Sequence, residues 1–145
     1  MPDHILPQSQ DHQPGLEGLM QPKAEHIRAS YKGSGKLTGK KALISGGDSG
    51  IGRAAALHFA REGADVAILY LEEHEDAKET IRLIEKEGRK GLAIAGDVSS
   101  SQTCNSAVEQ TVTALGGLHI LVTNACLQLL QYVLCAISHP SISAA

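Results

Sequence analysis

From about residue 37 the chain alternates short apolar runs with longer stretches in which apolar residues recur every three or four positions. Lys41–Ser45 (KALIS) is a continuous apolar run of strand length, as expected of a strand buried on both faces. A helix is expected from about Gly50 to Glu62, and a second strand over Asp65–Tyr70 (DVAILY). HEDAKETIRLIEKEG, residues 74–88, reads as the next helix, with Ala77, Ile81 and Ile84 on one face and Gly88 as its C-terminal cap. GLAIAGDV, residues 91–98, supplies a third strand. Cys104, Ala107, Val108, Thr111, Val112 and Leu115 form the stripe of a third helix, and HILVT, residues 119–123, a fourth strand. Strands alternating with helices predict an α/β chain, and right-handed crossovers put its parallel strands in the order 3-2-1-4.

The flanks behave differently. Residues 1–36 hold Pro2, Pro7, Pro14 and Pro22 among Gln, His and Gly without a sustained period, and are expected to form an extended arm. Residues 110–145 carry no Asp, Glu, Lys or Arg. Their last part, 126–145, has weak helical periodicity to about Ile137, then a Ser/Ala/Pro tail. An exposed helix ordinarily carries charge, so this tail is expected to dock on something or to promote association. The organisation expected is therefore an arm (1–36), a partial domain (37–125) and an atypical tail (126–145).

The junction of the first strand and first helix, SGGDSGIG (Ser45–Gly52), carries the chemistry. Gly46 permits a sharp exit from the strand, Gly50 lets a phosphate approach bare backbone, and Gly52 lets the helix lie close to the sheet. The N–H groups and positive dipole end of the helix then face the anion, and Ser49 adds a hydroxyl. A strand–turn–helix corner without a ligand is the plain alternative; the motif's place inside a repeating strand–helix unit favours nucleotide binding. Gly47 and Gly52 have the spacing of an NTPase phosphate loop, but Arg53 and Ala54 stand where Lys and Ser/Thr are required.

SGGDSGIG resembles the Thr-Gly-x-x-x-Gly-x-Gly fingerprint of the short-chain dehydrogenase/reductase family, with Ser45 in place of Thr. GDV (Gly96–Val98) resembles the family's Asp after the third strand, which contacts adenine. LVTNA (Leu121–Ala125) resembles its Asn-Asn-Ala-Gly motif, with Thr123 for the first Asn and Cys126 at the last position. The arm followed by SGKLTGKKALISGGDSGIGRA is closer still to bacterial stress-associated and glucose-dehydrogenase-like members. The resemblance covers about residues 10–125 and then ceases. It implies a Rossmann-like, doubly wound parallel sheet in three layers, of which the N-terminal half is present. It also implies an NAD(P)-dependent oxidoreductase function, with Gly46, Ser49, Gly50, Ile51, Gly52, Tyr70, Asp97, Val98 and Asn124 at the cofactor.

Family catalysis uses a Ser, a Tyr and a Lys four residues after the Tyr. Here Tyr31, Tyr70 and Tyr132 are followed at that spacing by Gly35, His74 and Ala136. No catalytic residue is assigned, and the chain alone is expected to be inactive. The position that reads the ribose at the end of the second strand is Tyr70, with Leu71 after it; Glu72 and Glu73 read as solvated helix-start acids. With no basic residue there either, the cofactor is NAD or NADP. The fourth strand is expected to be an open edge, through which the chain pairs with another protomer or a full-length relative. The abrupt change at Ala125 reads as a shifted frame or alternative exon, and a non-catalytic product acting by association is the rival reading.

Composition narrows the rest. A net charge of -3 and a pI near 6.1 give no broad pull toward nucleic acid or anionic membrane. Aromatic residues at 3%, with no Trp, exclude a base-stacking platform. Cys104, Cys126 and Cys135 lack CxxC spacing and read as reduced thiols of a cytoplasmic protein. No signal-peptide pattern is present, and the apolar run near Leu127–Ile137 is too short to span a bilayer. His4, His12, His26, His58, His74, His119 and His139 have no metal-ligand spacing.

Overall fold

The computed structural model describes residues 19–126, and within them seven elements run in strict alternation. They are β1 (Lys41–Ser45), α1 (Gly50–Arg61), β2 (Asp65–Tyr70), α2 (His74–Lys86), β3 (Gly91–Ala95), α3 (Ser101–Leu115) and β4 (Ile120–Thr123). All pairings are parallel and the sheet order is β3-β2-β1-β4. This is the strand order that right-handed crossovers predict and the Rossmann-like arrangement that the resemblance implies. The chain runs outward from β1 to β3 and then crosses to the far side of β1.

Two apolar layers hold the sheet. On one face Ile44, Val66 and Ile68 pack with Ala56, Leu57 and Ala60 of α1 and with Ala77 and Ile84 of α2. On the other, Leu43, Ala67, Leu69 and Ile94 pack with Ala107 and Leu115 of α3. Ile44, Val66, Ile68 and Ile84 are completely buried, each contributing about 1.5–3 kcal/mol relative to exposure. Past the Lys41–Asp65 ion pair at their starts, the central strands carry no charge, which is why ALI and VAIL read as unbroken apolar runs.

The helix ends follow local chemistry. Ser100 caps α3, its hydroxyl accepting from the Thr103 N–H at 3.3 Å, and Gly116 closes that helix in a left-handed conformation. Glu75 and Asp76 lie in the first turn of α2 and Lys86 in its last, matching the helix dipole. Gly88 donates its N–H to the Glu85 carbonyl just beyond α2, with φ +75°, as the cap expected there.

Several boundaries and faces differ from expectation. β3 stops at Ala95, so Gly96–Val98 lie in the loop beyond it. β4 begins at Ile120, and His119 joins it to β1 through backbone, donating to the Lys41 carbonyl at 2.9 Å. The α3 stripe is narrower than predicted: Ala107, Thr111 and Leu115 are buried, Cys104 is half-buried, and Val108 and Val112 are exposed. The helix packs on β1, β2 and β3, leaving the flank with the two valines open.

The described part of the N-terminal arm is held at the C-terminal end of α1. Glu62 is 6% exposed, and its carboxylate accepts from the Tyr31 hydroxyl, the Ser34 and Lys36 N–H groups and the Ser34 hydroxyl. These bonds, the Tyr31 hydroxyl first, hold its pKa down to about 2. Arg61 donates to the Arg28 and Tyr31 carbonyls and pairs with Glu87. The tail expected over 126–145 lies outside the described residues apart from exposed Cys126. Among the described residues no helix is long and apolar enough to cross a membrane.

Candidate functional site

The register of the sheet brings the predicted residues to one rim. Ser45 of β1 is level with Leu69 and with Thr123, and Tyr70 with Ala95. Gly46, Tyr70, Asp97 and Asn124 therefore all stand at or just past the carboxyl ends of their strands. The ladder also continues one step beyond the strands, Gly46 donating to the Leu69 carbonyl at 2.7 Å and Gly96 to Tyr70 at 2.8 Å. The rim contains the switch point between β1 and β4, where connections leave in opposite directions. Ligands of open α/β sheets bind at such crevices.

The three fingerprint glycines have distinct surroundings. Gly46 has φ +64°, and a Cβ there would come within 2.9 Å of the Asn124 amide nitrogen. At Gly52 a Cβ would stand 1.8 Å from the Gly46 carbonyl oxygen, so this glycine is what lets α1 lie against the turn. Gly50, at φ +51°, is the opposite case, since among the described residues no atom beyond its own helical turn and chain neighbours lies within 4 Å of its Cβ position. Space on that side, at the first residue of a helix with no acidic side chain in its first turn, suits a phosphate. Ser49 sits at the N-cap with extended backbone but makes no side-chain cap; its hydroxyl serves the Asp48 carboxylate. Ile51, the next residue on α1, is 81% exposed.

Asn124 is tied into the turn. Its amide donates to the Ser45 and Gly46 carbonyls, each at 3.1 Å. The Ser45 hydroxyl accepts from the Asn124 and Ala125 N–H groups at 3.0 and 3.1 Å. It therefore lies beside the glycine turn, and its side-chain donors brace backbone. Asp97 is exposed; the Ser99 N–H, 2.8 Å from its carboxylate, lowers its pKa. Val98 is 42% exposed beside it. The Tyr70 hydroxyl lies 2.8 Å from His74 Nδ1, so the residue ending β2 is engaged with the start of α2.

Beneath the turn lies a polar network that sequence reasoning missed. Arg53, 5% exposed, donates from Nε to the Asp48 carbonyl at 2.8 Å and to the Thr80 hydroxyl at 2.9 Å. Its Nη2 reaches the Asp76 carbonyl and carboxylate at 3.0 and 3.2 Å. Thr80, fully buried, also lies 3.0 Å from the Asp48 carbonyl. The glycine turn is thus fastened from below by α1 and α2. The sequence offers one signal, an arginine directly after Gly52, where the NTPase phosphate loop would carry its lysine.

Asp48 is 7% exposed and Glu73 9% exposed, which corrects the expectation of solvated acids after β2 for Glu73 though not for Glu72. Burial raises the Asp48 pKa, with added repulsion from Glu73 and Asp76.

The sequence matches the short chain dehydrogenase family over residues 40–137. The chain belongs to the short-chain dehydrogenase family. The match passes Ala125, where the resemblance was expected to cease. General stress protein 39 of Bacillus subtilis is 56% identical over 124 residues, covering 86% of this chain and 43% of that protein. A short-chain dehydrogenase of Burkholderia cenocepacia in complex with NADP superposes with TM-score 0.59 at 43% identity, over 63% of this chain and 37% of that one. Carveol dehydrogenase of Mycobacterium avium in complex with NAD gives TM-score 0.60 at 35% identity, again over 63% of this chain and 37% of that one. The chain spans well under half the length of the curated relatives it matches.

Proposed function

We propose that this chain is the dinucleotide-binding portion of a short-chain oxidoreductase, holding the adenosine-diphosphate part of NAD or NADP at the carboxyl rim of its sheet. The observation that carries the reading is the open space beside Gly50 at the head of α1, in a turn whose other glycines are closely packed. Gly46, Ser49, Gly50, Ile51 and Gly52 form the phosphate side. Asp97 and Val98 stand where the adenine would lie, Tyr70 near its ribose, and Asn124 holds the turn in shape. A bound nicotinamide cofactor supplies hydride transfer to or from a carbonyl or alcohol, the reaction of the family.

These 145 residues contain no Tyr-x-x-x-Lys. Tyr31 is bonded to Glu62 and Tyr70 to His74, so neither is set up as a proton donor beside a lysine. Binding without turnover is the function proposed for the chain alone, in the cytoplasm, where Cys104 and Cys126 remain thiols. Calorimetric titration with ADP-ribose tests it: Gly50→Val should weaken binding at least about tenfold by filling the phosphate approach. Equal affinity in both proteins would remove the site.

A second reading is association. β4 pairs with β1 alone among the described strands, and Leu121 is 58% exposed. Leu121 is in register with Leu43, which packs on the α3 side, so it shares that side with the exposed Val108 and Val112. A second protomer or a full-length relative would cover this apolar strip and pair with the strand. Sedimentation at about tens of micromolar, the range where such edges associate, tests this, and a clean monomer removes it.

A further inference from the structure

Three acidic side chains and one cation meet where the glycine turn approaches the end of β2. Asp48 comes from the β1–α1 turn, Glu73 from the β2–α2 loop, Asp76 from the first turn of α2 and Arg53 from α1. The guanidinium pairs with Asp76 at 3.2 Å and also donates to the neutral Asp48 and Asp76 carbonyls and the Thr80 hydroxyl. Asp48 and Glu73, each at least nine-tenths buried, receive hydrogen bonds from neutral donors, the Ser49 hydroxyl and the Glu72 N–H at 3.4 Å. The rim therefore carries more negative charge than its arginine offsets. Tyr70, which ends β2, and Leu71 after it add no cation.

We infer that Asp48 and Glu73 make this rim selective for a dinucleotide with a free ribose 2′-hydroxyl, as in NAD, over its 2′-phosphorylated form, as in NADP. The inference rests on the dinucleotide reading proposed above, in which the turn carrying Asp48 also carries the phosphate-binding Gly50. A ribose hydroxyl is neutral and can donate to a carboxylate. A 2′-phosphate brings close to two negative charges into a region of low dielectric, where repulsion acts with little screening. The usual discriminating acid belongs to the end of the second strand. Here the turn before α1 and the loop before α2 supply the charge instead, which is why the residue at the strand end, Tyr70, left the choice open.

Calorimetric titration of the whole chain with ADP-ribose and with 2′-phospho-ADP-ribose reads this directly. Wild-type protein should bind the unphosphorylated ligand at least about tenfold more tightly. Asp48→Asn and Glu73→Gln, each confirmed folded by thermal melting, should lower that ratio severalfold, and the double variant should bring it within about threefold of one. Equal binding of the two ligands by wild type overturns the selectivity and leaves the dinucleotide reading standing. An unchanged ratio in both single variants overturns the assignment to these residues. Binding of neither ligand overturns the dinucleotide reading, and this inference with it.

Discussion

Asn124 donates from its side-chain amide to the carbonyl oxygens of both Ser45 and Gly46, at 3.1 Å each, while Ser45 accepts from the Asn124 backbone through its hydroxyl. The two residues form a reciprocal clasp between the ends of β1 and β4. It fixes the carbonyl on which Gly52, and so the start of α1, is packed. Position 45 consequently needs a hydroxyl, whether Ser or Thr, for a structural reason.

Breaking either half of the clasp should destabilise the domain. Ser45→Ala and Asn124→Ala are each expected to cost about 1–3 kcal/mol, because each strands backbone groups. Since the partners are shared, the double variant should cost less than the sum. Urea unfolding of the four proteins measures this; strictly additive losses would show that the residues act separately.

The glycines at 50 and 52 should part company. Gly52→Ala puts a methyl into the Gly46 carbonyl and should cost about 3 kcal/mol or more, or prevent folding. Gly50→Ala meets open space and pays only for its left-handed backbone, about 1 kcal/mol. Thermal melting ranks them, and a Gly52 variant as stable as the Gly50 variant would contradict the packing.

Arg53→Ala should be among the most damaging polar substitutions. It removes the cation from half-buried Asp76 and leaves the Asp48 carbonyl short of a donor, for a loss of about 3 kcal/mol. Arg53→Lys should recover part of the loss, because an ammonium cannot span acceptors on the turn and on α2 as the planar guanidinium does. Denaturant midpoints of the two variants provide the comparison.

Glu62 predicts how the arm responds to acid. Its folded pKa of about 2 lies below the ordinary 4.5, so its stabilising contribution is complete above about pH 4.5 and is lost as pH falls through about 2. Glu62→Gln should flatten that part of the stability curve and speed proteolysis at residues 28–36 at neutral pH. Unaltered cleavage would mean that other contacts, such as Arg61 with Arg28 and Tyr31, hold the arm.

The elements and their order were legible because the central strands are buried on both faces and the helices on one. Periodicity reports burial directly in KALIS, DVAILY and the Ala77/Ile84 face of α2. The glycine turn was legible because closely packed backbone admits only glycine at Gly52. What stayed hidden depends on meetings between elements. Arg53 lies 27 residues from Thr80 and 23 from Asp76, and neither spacing carries a local signal. Glu73 looks like a solvated helix-start acid because it directly precedes α2, whereas its side chain is buried near enough to Asp48 to repel it. Val108 and Val112 fit the helical stripe equally well whether or not that flank of α3 is covered.

The position of β1 in the sheet also sets a timetable for synthesis. β1 takes β2 on one side, Ala42 meeting Val66, but its other neighbour arrives only with Ile120. At ribosomal rates of about 5–20 residues per second, the β1 flank waits several seconds before β4 emerges. During that interval a β1–β2–β3 unit with α1 and α2 can already bury one face of the sheet. The Ser45 hydroxyl and the backbone of the glycine turn meanwhile lack the clasp that Asn124 later closes. The nascent chain thus acquires its sheet before it acquires the finished shape of its phosphate turn.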